Sequence, residues 1–230
     1  TKKELEAAPV ILMAYDLLEW EGQDIRSMSM QDRRQRLEEL LQAHPSQGLV
    51  QISPVVSFKD WEALRAERSS AREKHSEGIM LKRLDSPYLS GRRRGDWWKW
   101  KVDPLTIDAV MIYAQRGHGR RANLFTDFTF AVWKEDQLVP FTKAYSGLTD
   151  KEFGEITAWV RKHTIDRFGP VRSVKPFHVF EIAFEGIQAS KRHKSGVALR
   201  FPRILRWRRD KDLKSANTLE DLHQMLAQYG

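Results

Sequence analysis

Trp97-Trp98-Lys99-Trp100-Lys101-Val102-Asp103-Pro104 is where the character of this sequence changes. Before it, short strands and helices alternate; after it, strands dominate. Within it, alternation puts Trp98 and Trp100 on one side of a strand and Lys99 and Lys101 on the other. Two lysines about 7 Å apart on one strand face make a cationic platform for phosphate oxygens. Taken alone, the pattern fits better an amphipathic strand with tryptophans in the core and lysines in water. Val102-Asp103-Pro104 is the natural boundary, so residues 1–103 and 104–230 are expected to form separate domains.

Working outward to the N-terminal side, Val10-Ile11-Leu12-Met13-Ala14-Tyr15 reads as a buried strand. Ser29-x-x-Asp32 predicts a helix start, and Leu37, Leu40 and Leu41 continue it to about Ala43, where His44-Pro45 stops it. Val50-Gln51-Ile52 is a further strand. Ser57-x-x-Asp60 predicts a second, charged helix over Lys59–Lys74, followed by a strand at Ile79–Arg83 and a turn-rich stretch from Asp85 to Gly91. On the C-terminal side five strands are expected, at Ile107–Gln115, Asp127–Trp133, Leu138–Tyr145, His178–Phe184 and Ala198–Arg206. A helix with a Thr149-x-x-Glu152 capping box follows the third, and a last helix is capped by Thr218. Five strands with a helix after the third is the element order of an OB-fold, a partly open barrel. The fold class expected for the chain is therefore α+β.

The 230 residues contain no cysteine, which removes thiolate metal sites and thiol nucleophiles and suits a reducing cytoplasm. No apolar run approaches the roughly 18 residues of a membrane span. The net charge of +8 is unevenly distributed. Residues 1–103 hold 18 Lys/Arg against 17 Asp/Glu, and residues 104–230 hold 21 against 14. An excess of +7 in one half suggests an anionic partner, nucleic acid first, with a merely soluble basic domain as the alternative on charge alone.

Several clusters carry chemistry. Glu77-Gly78 opens a strand, where a carboxylate can hold a magnesium ion against nucleotide phosphates and glycine lets a ligand approach the backbone. A loop acid paired with an arginine explains the same dipeptide. The segment from Arg200 to Lys211 carries six basic residues in twelve, ending in Arg208-Arg209-Asp210-Lys211. Arginines give bidentate phosphate contacts, and an interleaved Asp can orient one of them. Arg116-Gly117-His118-Gly119-Arg120-Arg121 and Lys191-Arg192-His193-Lys194-Ser195-Gly196 are basic turns; Arg116, Arg120, Arg121, Arg192 and Lys194 are candidate contacts to a DNA backbone. The Arg116–Arg121 turn lacks the strand–loop–helix context and the Lys-Ser/Thr of a P-loop, the histidines lack metal-ligand spacing, and no nucleophile elbow supports Ser/His/Asp catalysis.

In order, these blocks resemble the ATP-dependent DNA ligases of bacterial type. Ala14-Tyr15-Asp16-Leu17-Leu18 with Gly22 is similar to motif IIIa, Glu77-Gly78-Ile79-Met80-Leu81-Lys82 to motif IV, Trp97–Lys101 to motif V, and Arg208-x-Asp210-Lys211 to motif VI. Phe184-Glu185-Gly186-Ile187-Gln188, running into Arg192–Gly196, is similar to the segment before motif VI in one group of bacterial ligases. The resemblance covers residues 9–226. It implies the C-terminal part of a nucleotidyltransferase (adenylation) domain of ATP-grasp-like ligase type over 1–103, and an OB-fold domain over 104–230.

The resemblance further implies sealing of nicks between 3′-hydroxyl and 5′-phosphate in double-stranded DNA, through lysyl-AMP and DNA-adenylate, with ATP and Mg2+ as cofactors. Tyr15 would stack on adenine and Glu77 would hold the metal. Lys99 and Lys101 would contact the α-phosphate and balance charge in the transition state. Arg208, Asp210 and Lys211 would bind and orient the β,γ-phosphates, with Val102-Asp103-Pro104 as the inter-domain hinge. A monomeric, cytoplasmic, nucleoid-associated repair or replication enzyme is implied, with no membrane partner. The family's Lys-x-Asp-Gly nucleophile and Asp-Gly-Glu motif do not occur; the family places both ahead of motif IIIa. A truncated chain is therefore expected, unable to self-adenylate without an N-terminal portion. The alternatives are a non-catalytic DNA-binding OB module, an RNA ligase, or a capping guanylyltransferase; the Arg-x-Asp-Lys form and the OB domain favour DNA ligase.

Overall fold

Side-chain caps decide where the main helices of this protein begin, and the helices belong to two units, Thr1–Val102 and Asp103–Gly230. The structure, a computed structural model, describes residues 2–46, 48–74 and 76–230. Among the described residues, no helix is long and apolar enough to cross a membrane.

The first unit opens with α1 (Lys2–Ala7), which buries no residue, and β1 (Leu12–Ala14). A small hairpin of β2 (Glu19–Trp20) and β3 (Gln23–Asp24) turns through Glu21 and Gly22, both at positive φ as a tight hairpin requires. α2 (Met30–Ala43) begins where Ser29 Oγ accepts the Asp32 N–H at 3.1 Å and ends at His44, as expected. β4 (Val50–Ile52) pairs in parallel with β1, Leu12 opposite Val50. α3 (Trp61–Ser69) is followed by the antiparallel hairpin of β5 (Gly78–Lys82) and β6 (Trp97–Lys101). Among the described residues the buried apolar set is small: Ile25, Met30, Leu37, Leu64 and Ala71.

Two expectations fail in this unit. The Val10–Tyr15 run is a strand only over Leu12–Ala14 and is not buried; Val10 is 75% and Leu12 63% exposed. Its apolar character asks for cover on both faces, as parallel pairs usually have, and this unit does not supply it. The second helix starts at Asp60, not Ser57, because the Asp60 carboxylate accepts the Ala63 N–H at 2.8 Å, and it is shorter than expected, ending at Ser69.

The second unit runs β7 (Leu105–Arg116), β8 (Phe125–Lys134), β9 (Gln137–Ala144), α4 (Asp150–His163), β10 (Thr164–Phe168), β11 (Val171–Val174), β12 (Val179–Phe184), β13 (Gly186–Ala189), β14 (Val197–Arg200), β15 (Arg203–Trp207) and α5 (Leu219–Tyr229). The long strand β7 pairs with β8 along one edge; on the other, β12 takes residues 105–110 and β11 takes 113–115. Phe128, Phe130, Phe153, Phe180, Phe184, Ile156 and Leu222 fill the core between this curved sheet and the two helices. The Thr149–Glu152 and Thr218–Asp221 capping boxes are both formed. The β10–β11 hairpin is additional to the expected strands. The last expected strand is two: Phe201 sits at φ 52° and Pro202 has no N–H, so the ladder breaks and β14 pairs with β13 while β15 pairs with β12.

The sheet does not close into a continuous barrel. A backbone hydrogen bond approaches closure, from Ile204 N–H to the Ser146 carbonyl at 2.9 Å. Gly147 makes this approach feasible: it lies at φ 108°, and a Cβ there would sit 1.7 Å from the Ile204 oxygen. Gly147→Ala should therefore cost roughly 3 kcal/mol from backbone strain and overpacking together. Gly154, inside α4 with open space where a methyl would sit, should behave oppositely, Gly154→Ala adding about 1 kcal/mol. Thermal unfolding of the two variants should move in opposite directions.

Candidate functional site

The register of the β5–β6 hairpin decides which side chains share a face. Lys82 opposes Trp97, Met80 opposes Lys99 and Gly78 opposes Lys101, so Lys82, Trp97, Lys99 and Lys101 lie together. Tyr15, half exposed, comes over the end of this face: Lys82 Nζ is 4.2 Å from the Tyr15 ring centroid and 4.3 Å from that of Trp97. Burial among these rings pushes the Lys82 amine below its ordinary pKa. At the other end Lys101 Nζ is 2.7 Å from Glu77 Oε2. Lys99 is exposed between them, with no hydrogen-bond or ion-pair partner among the described residues.

Gly78 has a different role from the one expected. At φ 142°, a Cβ there would lie 2.4 Å from the Trp100 carbonyl oxygen, so the close approach is to the partner strand, not to a ligand. The tryptophans also divide differently: Trp98 is about half exposed, while Trp100 is partly buried under Arg68, which donates through Nε to the Lys101 carbonyl at 2.8 Å. Helix α3 thereby holds the strand that carries both lysines.

Tyr15 is placed by its neighbour. Asp16 accepts two hydrogen bonds from Arg33 of α2, Nε to Oδ1 and Nη2 to Oδ2, each 2.9 Å, with both side chains almost wholly buried. Arg33 Nη1 also donates to the Met28 and Ser86 carbonyls. The Asp of the Tyr15-Asp16-Leu17-Leu18 motif is therefore an anchor, and its partner Arg33 has no sequence signal beyond lying on an amphipathic helix.

In the second unit, Arg208 and Lys211 converge on Asp108 of β7. Arg208 Nη1 and Lys211 Nζ lie 3.0 and 2.5 Å from Asp108 Oδ2. The other edge of the guanidinium faces Asp210, with Nε donating to Oδ1 at 3.0 Å and Nη2 to Oδ2 at 2.7 Å. Arg208 holds the Asp210 carboxyl down at about 2, and Asp210 in turn raises the Arg208 pKa. Asn217 fixes Asp108 through the backbone, its Oδ1 accepting the Asp108 N–H and its own N–H donating to the Asp108 carbonyl, both at 2.9 Å. Nothing in the sequence around Asp108 marks it for this role.

The basic turns are heterogeneous. Arg116 lies over Phe125, and Arg121 is engaged by Asp150 at 2.8 Å and lies over Phe153, bracing the start of α4. Arg120 is exposed and makes no ion pair with a described residue. Arg192 and Lys194 sit on an exposed turn tied to α5 by His223 Nε2, 2.9 Å from the Ser195 carbonyl. Among the described residues, no three His, Asp or Glu side chains gather as a metal site; Glu77 is the carboxylate beside the lysine face.

Two family models match this chain: the ATP dependent DNA ligase domain over residues 1–101, and the ATP dependent DNA ligase C terminal region over residues 121–211. The chain belongs to the ATP-dependent DNA ligase family. A probable DNA ligase of Koribacter versatilis is 37% identical over 92% of this chain, and a DNA ligase of Methanoculleus marisnigri is 35% identical over 95%. The chain spans only 40% and 38% of those two proteins. A solved structure from work on Lig E DNA ligases shares the fold, with a TM-score of 0.63 at 20% identity, covering 90% of this chain and 67% of that one. The family resemblance read from the motifs thus holds across both units, as does the α+β class with an OB-type C-terminal region. Beyond those motifs, this ligase-family chain brings Asp108 and Arg33 into direct contact with them, and sets Lys82, the last residue of motif IV, against the rings of Tyr15 and Trp97.

Proposed function

We propose that this chain is the part of an ATP-dependent DNA ligase that handles adenylate and phosphate, in a protein that seals nicks between 3′-hydroxyl and 5′-phosphate ends of duplex DNA. The observation that carries the reading is the shared face of Tyr15, Lys82, Trp97, Lys99 and Lys101, closed at one end by Glu77. The half-exposed Tyr15 ring offers adenine a stacking surface, and Lys82 behind it fixes its position. Lys99, exposed on this face, and Lys101 offer charge-assisted hydrogen bonds to the α-phosphate and to charge that develops there during transfer.

A single carboxylate beside phosphates suits a magnesium ion, which takes its remaining ligands from water and phosphate oxygens. Glu77 is the residue that would hold it, and the ion would neutralise phosphate charge. The ion pair with Lys101 keeps that carboxylate at the mouth of the site. In the second unit, Arg208 and Lys211 are assigned to the outer phosphates, with Asp210 and Asp108 setting their orientation. Arg116, Arg120, Arg121, Arg192 and Lys194 are assigned to the DNA backbone. Arg120, Arg192 and Lys194 are the most available of these, since Arg116 and Arg121 are engaged by neighbours.

Trp97 makes ATP binding directly observable. Titrating the chain with ATP should change its tryptophan emission, and Lys99→Ala with Lys101→Ala should weaken binding at least tenfold, in line with about 1.5–3 kcal/mol for a charged hydrogen bond. Unchanged affinity in the double variant would sink the assignment of this face to the nucleotide.

A further inference from the structure

Immediately before β12, His178 stands among four aromatic rings. Its own ring is steeply inclined to those of Trp159 on α4, with centroids 4.4 Å apart, Trp207 on β15 (4.8 Å), Phe177 (5.0 Å) and Phe180 (6.5 Å). Its Nε2 is buried and has no hydrogen-bond partner among the described residues. Buried polar atoms are nearly always satisfied, so an orphan of this kind calls for a reason.

The surroundings favour the neutral imidazole. The charged groups that face it are both basic: His163 of α4, stacked on Trp159 at 4.4 Å, and Arg209 after β15, lying 4.0 Å over Trp207. Glu155 of α4 is engaged by Arg209. β7 brings the Met111 N–H to the His178 carbonyl at 3.1 Å, and its residues there, Val110, Met111 and Ile112, carry no charge. Aromatic faces attract cations, but the Trp207 ring already carries Arg209. Burial, with His163 and Arg209 adding to it, pushes the imidazole down to about 4.

The ring sits where the Arg208 segment is attached. The carbonyl of Val179, the residue after His178, accepts the Arg208 N–H at 2.9 Å. Trp207, the residue before Arg208, packs on His178 and stacks on Phe180 at 5.6 Å. Arg208 therefore has two anchors, its guanidinium on Asp108 and its backbone on β12.

We infer that His178 is a positioning residue for Arg208, effective only as the neutral imidazole, so that the backbone anchor weakens in mildly acid solution. This role goes beyond the phosphate reading of Arg208 and is independent of it, because it concerns only how the residue is held. With the folded-state value below the ordinary 6.5, the opened segment takes up the proton first. The anchor is intact above 6.5 and is lost progressively as pH falls towards 4.

The test is amide hydrogen exchange of the 230-residue chain, read as protection factors so that the intrinsic pH dependence of exchange cancels. Between about pH 7 and pH 5 the Arg208 amide should lose protection on the order of tenfold. Phe125, whose N–H is held by Thr157 Oγ1 at 3.0 Å in the same unit, should not follow it. His178→Phe and His178→Leu should each remove the pH dependence, and His163→Gln should leave it in place. Should neither His178 variant fold, NMR titration of the wild-type ring decides, and His178 should stay neutral down to about pH 5. Arg208 protection that does not change with pH, an equal fall in a His178 variant, or a His178 ring that titrates near 6.5 overturns the inference. So does loss of the pH dependence in His163→Gln, which would assign it to the other histidine. An equal fall at Phe125 also overturns it, since His178 would then act on the whole unit and not on the Arg208 anchor.

Discussion

Asp16→Ala is expected to unfold the first unit or bring it to the edge of unfolding. The substitution leaves the Arg33 guanidinium, whose side chain has no exposed surface, without the carboxylate that accepts two of its hydrogen bonds. Removing one member of a buried pair typically costs about 3–5 kcal/mol, because the remaining charge is stranded away from water. Among the described residues only five apolar side chains of this unit are buried, so there is little else to absorb the loss. Urea unfolding followed by tryptophan emission should show the first-unit transition shifted to much lower denaturant or absent. The ATP response should go with it, since Tyr15 is the next residue. Asp16→Leu combined with Arg33→Met, which removes both charges, should recover most of the stability. A loss under about 1 kcal/mol in Asp16→Ala would show that the pair does not hold the unit together.

Asp108→Ala should have the second-largest effect, in the other unit. One carboxylate oxygen of Asp108 receives both Arg208 and Lys211, and its backbone is bonded in both directions to Asn217. Without it two cations face each other across an apolar strand, and the segment from Trp207 to Asn217 is less firmly attached to β7. Calorimetry should show the melting temperature of this unit falling by about 5–10 °C. Asp108→Asn keeps the shape and the backbone bonds while removing the charge, and should fall between. Equal melting temperatures for Ala and wild type would mean that Asp210 alone organises the segment.

The features legible in the sequence are local ones. Ser29, Thr149 and Thr218 are seen as helix starts because a cap and its target lie within three residues. The same locality misleads at Ser57-x-x-Asp60, where two capping residues overlap and the later one is used. The β10–β11 hairpin is hidden because Thr164 follows directly on α4 with no breaking residue between them. The apolar Val10–Tyr15 run shows that the strand needs cover, and sequence alone does not tell whether this unit provides it. At the site, Tyr15, Glu77, Lys99 and Lys101 are legible because the motifs are contiguous. Asp108 and Arg33 are not: their partners lie 100 and 17 residues away, and only the fold brings them together.

If Arg208 binds phosphate as proposed, its present partners decide which anions it would accept. Its guanidinium already has two carboxylates, so an incoming ligand does not fill a vacant seat but takes part in an exchange. A chloride or a simple carboxylic acid brings no more charge than Asp210 and lacks the covalent tether that keeps Asp210 close. The end of a triphosphate brings several charges at once and would displace Asp210, which is 65% exposed. On the phosphate assignment proposed for Arg208, Asp210 would be a resident competitor that sets a threshold of charge, giving up some affinity to reject abundant monoanions. With its carboxyl held at about 2, it stays ionised throughout the neutral range, so that threshold would not drift with pH.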